Sequence, residues 1–151
     1  MDIKQILKFY QKNNKTLTIK IHGNSMLPCY ENGVKLNICL GAENFQIGDV
    51  ILFYNCKYII HRIVGKKNGC FITKGDNNLL CDEKLICKKD IIGYVRCKAD
   101  VMKTMRLAAC ISYFEGKLFK YGIGINSKKI NRIVYRICGV LQRLYQKILI
   151  G

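Results

Sequence analysis

The chain has 151 residues, half of them hydrophobic, and a formal net charge of +16. This length suits one domain with an appendage, and the hydrophobic content is sufficient for a packed core, which excludes a mainly disordered chain. The charge is uneven. Residues 1–100 carry 16 Lys and Arg against 9 Asp and Glu, net +7, whereas residues 101–151 carry 10 against 1, net +9.

Cysteine spacing and hydropathy exclude several further classes. The nine cysteines include no C-x-x-C pair, which argues against a zinc site. Their odd number argues against a complete set of disulfides, so we expect free, buried thiols in a reducing environment. No uncharged segment approaches the ~20 apolar residues of a membrane-spanning helix, and the charged N-terminus does not resemble a signal peptide. The sequence predicts neither a metal ion nor a cofactor.

The first predicted element is a short amphipathic helix over residues 2–12, within an N-terminal segment that we assign to residues 1–15. Its apolar side chains recur at helical spacing, at Ile3, Ile6, Leu7 and Tyr10. From residue 16 the period changes to two. Six β-branched or aromatic runs follow, separated by Gly, Asn and Asp: TLTIKI, VKLNI, DVILFY, YIIHRIV, CFITK and IIGYVRC. These runs predict a compact, mainly antiparallel β domain over residues 16–98.

The remaining residues, 99–151, are predicted to form a basic helical extension. Its apolar stripe comprises Ile130, Ile133, Val134, Ile137, Leu141, Leu144 and Ile148. Lysines and arginines occupy much of the remaining surface of this helix. Residues 128–148 therefore either lie on an anionic membrane surface or pack their apolar stripe on the β domain, and the pattern leaves both open.

Two polar residues stand out within the β pattern. Ser25 is bracketed by Gly23 and by Pro28, the single proline of the chain. These residues favour a chain reversal, which would expose a serine nucleophile or simply form a turn. His61 interrupts an apolar strand, where it is either a hydrogen-bonded core side chain or a base directed at a pocket.

Two carboxylates follow the histidine strand in the segment TKGDNNLLCDE. Gly75 suits a tight turn, and Asp76 lies within that turn, whereas Asp82 comes shortly after it. One carboxylate beside a histidine can fix its tautomer and stabilise its protonated form. Acidic and amide residues at a turn are also common for structural reasons alone.

Four sequence boxes, GNSMLP, FQIGDVILF, HRIVG and TKGDNN followed by CD, occur in an order that closely resembles the signal peptidase I family of serine endopeptidases. The resemblance covers about residues 19–96 and is closest to the endoplasmic-reticulum and archaeal type. It implies the mixed β catalytic domain of the LexA/signal peptidase-like superfamily. The more common bacterial enzymes of the family carry a lysine where this chain has His61.

The resemblance also implies residue roles. Ser25 matches the nucleophile, His61 the general base and Asp82 the carboxylate that orients the histidine. Met26 and Pro28 match residues that shape the substrate groove. Structural roles are implied for Gly48, Asp49, Arg62, Gly75 and Asp76.

A second histidine, His22, is the alternative base. It lies three residues before Ser25, and strand alternation predicts that its side chain points away from the face that carries the site. A histidine base is protonated in mildly acidic solution, so we expect activity to fall below about pH 6.

The implied function is cleavage of a signal or leader peptide after small residues, with a precursor protein or peptide as substrate. We expect peripheral membrane association, with a cytoplasmic location as the alternative. A LexA-like self-processing regulator is less favoured, because those proteins use a lysine base and no DNA-reading domain fits before Ser25. A basic nucleic-acid-binding module is also disfavoured, because it leaves the matching Ser, His and Asp boxes unexplained.

Overall fold

One six-stranded antiparallel sheet dominates the computed structural model, which describes residues 9–10, 13, 15–41, 44–96 and 99–121. Its strands are β1 (Thr16–Lys20), β2 (Lys35–Leu40), β3 (Val50–Asn55), β4 (Lys57–Lys67), β5 (Cys70–Lys74) and β6 (Ile91–Val95). They lie in the order β1-β2-β6-β3-β4-β5, and the paired strands run antiparallel. A 3₁₀ turn (Lys88–Asp90) precedes β6, and helix α1 (Ala99–Lys120) follows it. The predicted mainly β, mainly antiparallel fold is confirmed.

Alternating side chains divide the core between the two faces of the sheet. In the central strand β3 four consecutive apolar residues are buried, because neighbouring strands flank it and both of its faces are covered. One cluster contains Leu36, Ile38, Val50, Leu52 and Met105. The other contains Phe45, Ile51, Phe53, Ile63 and Phe71. The sheet therefore supplies a rigid frame for the polar side chains of its central strands.

Helix α1 packs on the sheet rather than standing apart from it. Met105, Ala108 and Ala109 are fully buried. The buried ammonium group of Lys74 donates hydrogen bonds to the carbonyl oxygen and the hydroxyl of Ser112, at 3.0 and 2.8 Å. No helix in the described part of the chain combines the length and apolar character needed to cross a membrane.

Parts of the two predicted terminal helices lie outside the described residues. Residues 9 and 10 are helical, within the helix predicted over residues 2–12, whereas residues 1–8 are not described. The amphipathic stripe of residues 128–148 also lies outside the described part of the chain.

The prediction of free cysteines is wrong for one pair. Cys70 and Cys87, 17 residues apart, form a disulfide that joins β5 to the turn before β6. The two cysteines meet because an isolated β-bridge brings their sequence neighbours Phe71 and Ile86 opposite each other. The spacing of the cysteines along the chain did not predict this pairing. The described cysteines that form no disulfide are Cys29, Cys39, Cys56, Cys81 and Cys110.

Candidate active site

Ser25 lies in the turn that connects β1 to β2. The Leu27 N–H group donates to the carbonyl oxygen of Asn24 at 3.3 Å, and the Tyr30 N–H group donates to that of Met26 at 2.9 Å. Met26 is buried in the core, which anchors the turn, while Ser25 itself is half-buried. The serine hydroxyl is thus presented from a turn with a fixed backbone.

A second turn, Gly75 to Asn78, packs against the backbone of Ser25. The Asn77 N–H group donates to the Ser25 carbonyl oxygen at 2.8 Å, and the Asn77 amide donates to the carbonyl of Asn24 at 3.2 Å. A Cβ atom on Gly75 would lie 2.7 Å from the Ser25 carbonyl oxygen, closer than real Cβ contacts. Only glycine permits this approach, so the G-D-N turn fixes the position of the serine.

His61 is held by a carboxylate from the segment after β5. Its ring is buried in the middle of β4, and Nδ1 lies 2.8 Å from Oδ2 of Asp82, within hydrogen-bond distance. The same oxygen accepts a hydrogen bond from the Thr73 hydroxyl at 2.6 Å, and the Asp82 N–H group donates to the Thr73 carbonyl at 2.8 Å. With Nδ1 directed at Asp82, Nε2 faces away from the carboxylate and is the ring nitrogen open to a substrate or nucleophile.

Asp76 has a different partner. The Arg62 guanidinium donates to both Asp76 carboxylate oxygens, from Nε at 2.8 Å and from an Nη nitrogen at 2.7 Å. Its other Nη nitrogen donates to the Gly48 carbonyl at 2.8 Å. Both charged side chains are 1% exposed, so this pair is part of the interior. It connects β4 to the turn against Ser25 and to the loop before β3.

Asp49 borders this interior network. Its carboxylate accepts a hydrogen bond from the Gln46 N–H group at 2.7 Å, which caps the loop before β3. Burial raises the pKa of the Asp49 carboxyl above its ordinary value, although the Gln46 hydrogen bond and the charges of Arg106 and Arg62 act in the opposite direction. This carboxylate faces a loop, and it does not line the cavity described next.

Ser25 and His61 line one cavity of about 550 Å³. Its other lining residues are Ile19, Lys20, Ile21, His22, Gly23, Met26, Leu52, Lys57, Tyr58, Ile59, Ile60 and Asn78. Met26 therefore reaches the cavity, whereas Pro28, which follows a cis peptide bond, is not among the described lining residues. His22, which strand alternation placed away from this face, lines the cavity too, but it is exposed whereas His61 is buried.

The arrangement suits nucleophilic acyl transfer. Ser25 and His61 line the same cavity, and the Asp82 carboxylate lies at Nδ1 of that histidine. A base oriented by a third group is the arrangement that activates a weak hydroxyl nucleophile. The described residues contain no group of three or more His, Cys, Asp or Glu side chains placed to hold a metal ion.

Sequence reasoning missed three features of the site. Thr73, which bonds Asp82, and Asn77, which bonds the Ser25 backbone, both lie in the quoted TKGDNN box. Their roles depend on strand pairing and on the conformation of the turn, and neither can be read from the sequence of the box alone. The third feature is the presence of two lysines at the cavity, Lys20 and Lys57, which lie on different strands and belong to none of the four sequence boxes.

Comparison with known proteins points in one direction. The chain is 29% identical over 102 residues to the signal peptidase complex catalytic subunit SEC11 of Clavispora lusitaniae, an alignment that covers 62% of this chain and 60% of that protein. It is 27% identical over 124 residues to SEC11 of Candida dubliniensis, covering 74% of each chain. The chain thus spans about three fifths of the first relative's length. No protein-family model and no solved structure matches it. The two relatives support a signal peptidase-like family for this chain.

Proposed function

We propose that this protein is a serine endopeptidase that resembles signal peptidase I, with Ser25 as nucleophile, His61 as general base and Asp82 as the carboxylate that orients the base. The observation that carries the proposal is the shared cavity of Ser25 and His61, combined with the 2.8 Å contact between His61 and Asp82. The similarity to two signal peptidase catalytic subunits supports the same chemistry.

The proposed reaction proceeds through an acyl-enzyme. His61 takes the Ser25 proton as the hydroxyl oxygen attacks the scissile carbonyl, and Asp82 stabilises the resulting imidazolium. His61 then gives that proton to the leaving amine as the peptide bond breaks, which leaves the N-terminal fragment esterified to Ser25. Water, deprotonated by the same histidine, hydrolyses the ester and restores the serine.

The environment of the site supports this division of roles. The Thr73 hydroxyl and the Asp82 main chain fix the carboxylate relative to β5, so the histidine is oriented before substrate binds. Backbone N–H groups of the Ser25 turn are the proposed donors to the oxyanion. The bonds from Asn77 and the close approach of Gly75 hold that turn in place.

The proposed substrate is a precursor protein or peptide that is cut after small residues. The proposed binding site for an extended peptide segment is the cavity lined by residues from the end of β1 and from the first half of β4. We further propose that the basic segment of residues 128–148 brings the enzyme to anionic membrane surfaces, where each basic residue contributes about 1 kcal/mol.

Peptide cleavage tests the proposal. Purified wild type and the Ser25→Ala, His61→Ala and His22→Ala variants are incubated with peptides that contain an Ala-x-Ala junction, with and without anionic vesicles, and products are read by mass spectrometry. We expect wild type and His22→Ala to cut the peptide and the other two variants to lose activity. Cleavage by Ser25→Ala at the wild-type rate, or by His61→Ala with loss in His22→Ala, would refute the assigned roles.

A further inference from the structure

We propose that the cavity beside Ser25 selects peptides that carry an acidic residue close to the scissile bond, through the ammonium groups of Lys20 and Lys57. This selectivity rests on the proposed peptidase function and adds a substrate class to it. Neither lysine belongs to the sequence boxes that indicate the catalytic chemistry.

The two lysines reach the cavity from different strands. Lys20 is the last residue of β1, and Lys57 is the first residue of β4. Both are exposed, and both line the cavity that contains Ser25 and His61. A peptide bound with its scissile carbonyl at Ser25 therefore occupies a cavity that is also lined by two exposed cationic residues.

The positive charge at the cavity lacks a matching negative charge in its lining. Among the described residues that line the cavity there are two lysines and no Asp or Glu. Lys20 also lies directly opposite Lys35 in the β1–β2 pairing. Like charges in opposite positions of adjacent strands are unfavourable, so an acidic side chain from a substrate would relieve this repulsion.

The rest of the cavity lining consists of a buried apolar floor and an exposed rim, and each suits a different kind of substrate side chain. Ile21, Met26 and Leu52 are buried and form an apolar floor. The rim is exposed and includes Tyr58 beside Lys57. The floor accommodates small or apolar substrate side chains, while the exposed rim is where a substrate carboxylate can bind without losing all of its hydration.

General attraction to a basic protein is a different effect. The net charge of +16 attracts any acidic peptide at long range, wherever its acidic residues lie. A contact at the rim depends instead on the position of the acidic residue, because exposed charges farther apart than the Debye length of about 8 Å are largely screened. Exposed ion pairs contribute about 0.2–1 kcal/mol, so we expect a change in kcat/KM of roughly 1.4- to 5-fold for each lysine.

The test uses peptides that differ in the position of one charge. Glu or Gln is placed at each position within about four residues of an Ala-x-Ala junction, or about ten residues away, which is up to roughly 33 Å of extended chain. The full-length wild type is compared with Lys20→Gln, Lys57→Gln and the double variant. Lys89→Gln removes an exposed lysine of the 3₁₀ turn, outside the cavity lining, and is the matched control.

Two readouts keep the selectivity distinct from the catalytic assignment. One is kcat/KM for cleavage, and the other is peptide binding to full-length Ser25→Ala, with the same lysine changes added, by fluorescence anisotropy. Thermal melts of each variant identify any loss of folding, and the salt dependence of the wild-type preference provides a measurement that needs no lysine variant.

We expect Glu near the junction to be preferred over Gln in wild type and Lys89→Gln, and the preference to disappear in the double variant and at high salt. Equal rates or binding for both peptides, an equal preference for the distant Glu, or a preference unchanged in the double variant would overturn the selectivity. Cleavage without charge preference refutes the selectivity and leaves the peptidase assignment intact. Preferential binding without cleavage supports the selectivity and refutes the peptidase assignment. The absence of both binding and cleavage refutes both proposals.

Discussion

Replacing Asp76 by Asn removes the negative charge from the buried partner of Arg62 while conserving the size of the side chain. Asp76 accepts two hydrogen bonds from the guanidinium, and both side chains are 1% exposed. The change removes the carboxylate that pairs directly with a buried guanidinium, and breaking a buried pair in this way costs about 3–5 kcal/mol. For a chain of this length, that loss lowers the melting temperature by roughly 6–20 °C.

The matched variant is Asp82→Asn, which alters the other carboxylate of the same segment. Its side chain is 23% exposed, so loss of its charge-assisted bonds costs less stability, about 1–2 kcal/mol. Its proposed role is to orient His61, and the equivalent change in Ser-His-Asp enzymes lowers kcat by up to about 10⁴-fold. Asp76→Asn is therefore expected to impair stability most, and Asp82→Asn to impair turnover most.

Urea unfolding followed by circular dichroism measures the first effect, and the Ala-x-Ala peptide assay measures the second at a temperature where both variants remain folded. An unfolding free energy for Asp76→Asn within 1 kcal/mol of wild type would show that the buried pair does not hold the turn. Full turnover by Asp82→Asn would refute its role beside the histidine.

Three further predictions concern the surroundings of the site. Gly75→Ala places a Cβ 2.7 Å from the Ser25 carbonyl oxygen, so we expect turnover to fall by about 10²-fold, measured by kcat of the folded variant. Because burial raises the pKa of Asp49, its folded form retains the proton to higher pH than the unfolded chain; the wild type should lose unfolding free energy relative to Asp49→Asn as pH rises above 3.8, measured by urea unfolding. Reduction of the Cys70–Cys87 disulfide should lower the unfolding free energy by about 3 kcal/mol, measured with and without reductant. A difference in unfolding free energy between wild type and Asp49→Asn that does not change with pH would contradict the second prediction. An unfolding free energy that is the same with and without reductant would contradict the third.

Strand periodicity predicted most of the fold, because alternation reflects burial directly. The run CFITK coincides with β5, and DVILFY is displaced by one residue from β3. The strand predicted from the run YIIHRIV is too short, because β4 continues to Lys67. The chain then turns through Asn68 and Gly69, both with positive φ. These residues favour a two-residue hairpin turn, a signal that lay in the sequence next to the predicted strand.

The site was predictable only in part. A serine, a histidine and an aspartate were indicated by their boxes, and resemblance ranked Asp82 above Asp76. The different partners of the two aspartates follow from topology, because Arg62 and Asp76 are 14 residues apart and meet through strand pairing. The Lys74–Ser112 contact likewise joins residues 38 apart, which no local pattern indicates.

The central claim is that Ser25 forms an acyl-enzyme, and intact-protein mass spectrometry after rapid acid quenching tests it most directly. Wild type mixed with an excess of a cleaved peptide, or of its more reactive ester, should gain the mass of the N-terminal fragment less water, and peptide mapping should locate that mass on Ser25. Ser25→Ala should gain nothing and release no product. Product release by Ser25→Ala, or an adduct on another residue that persists in that variant, would contradict the mechanism.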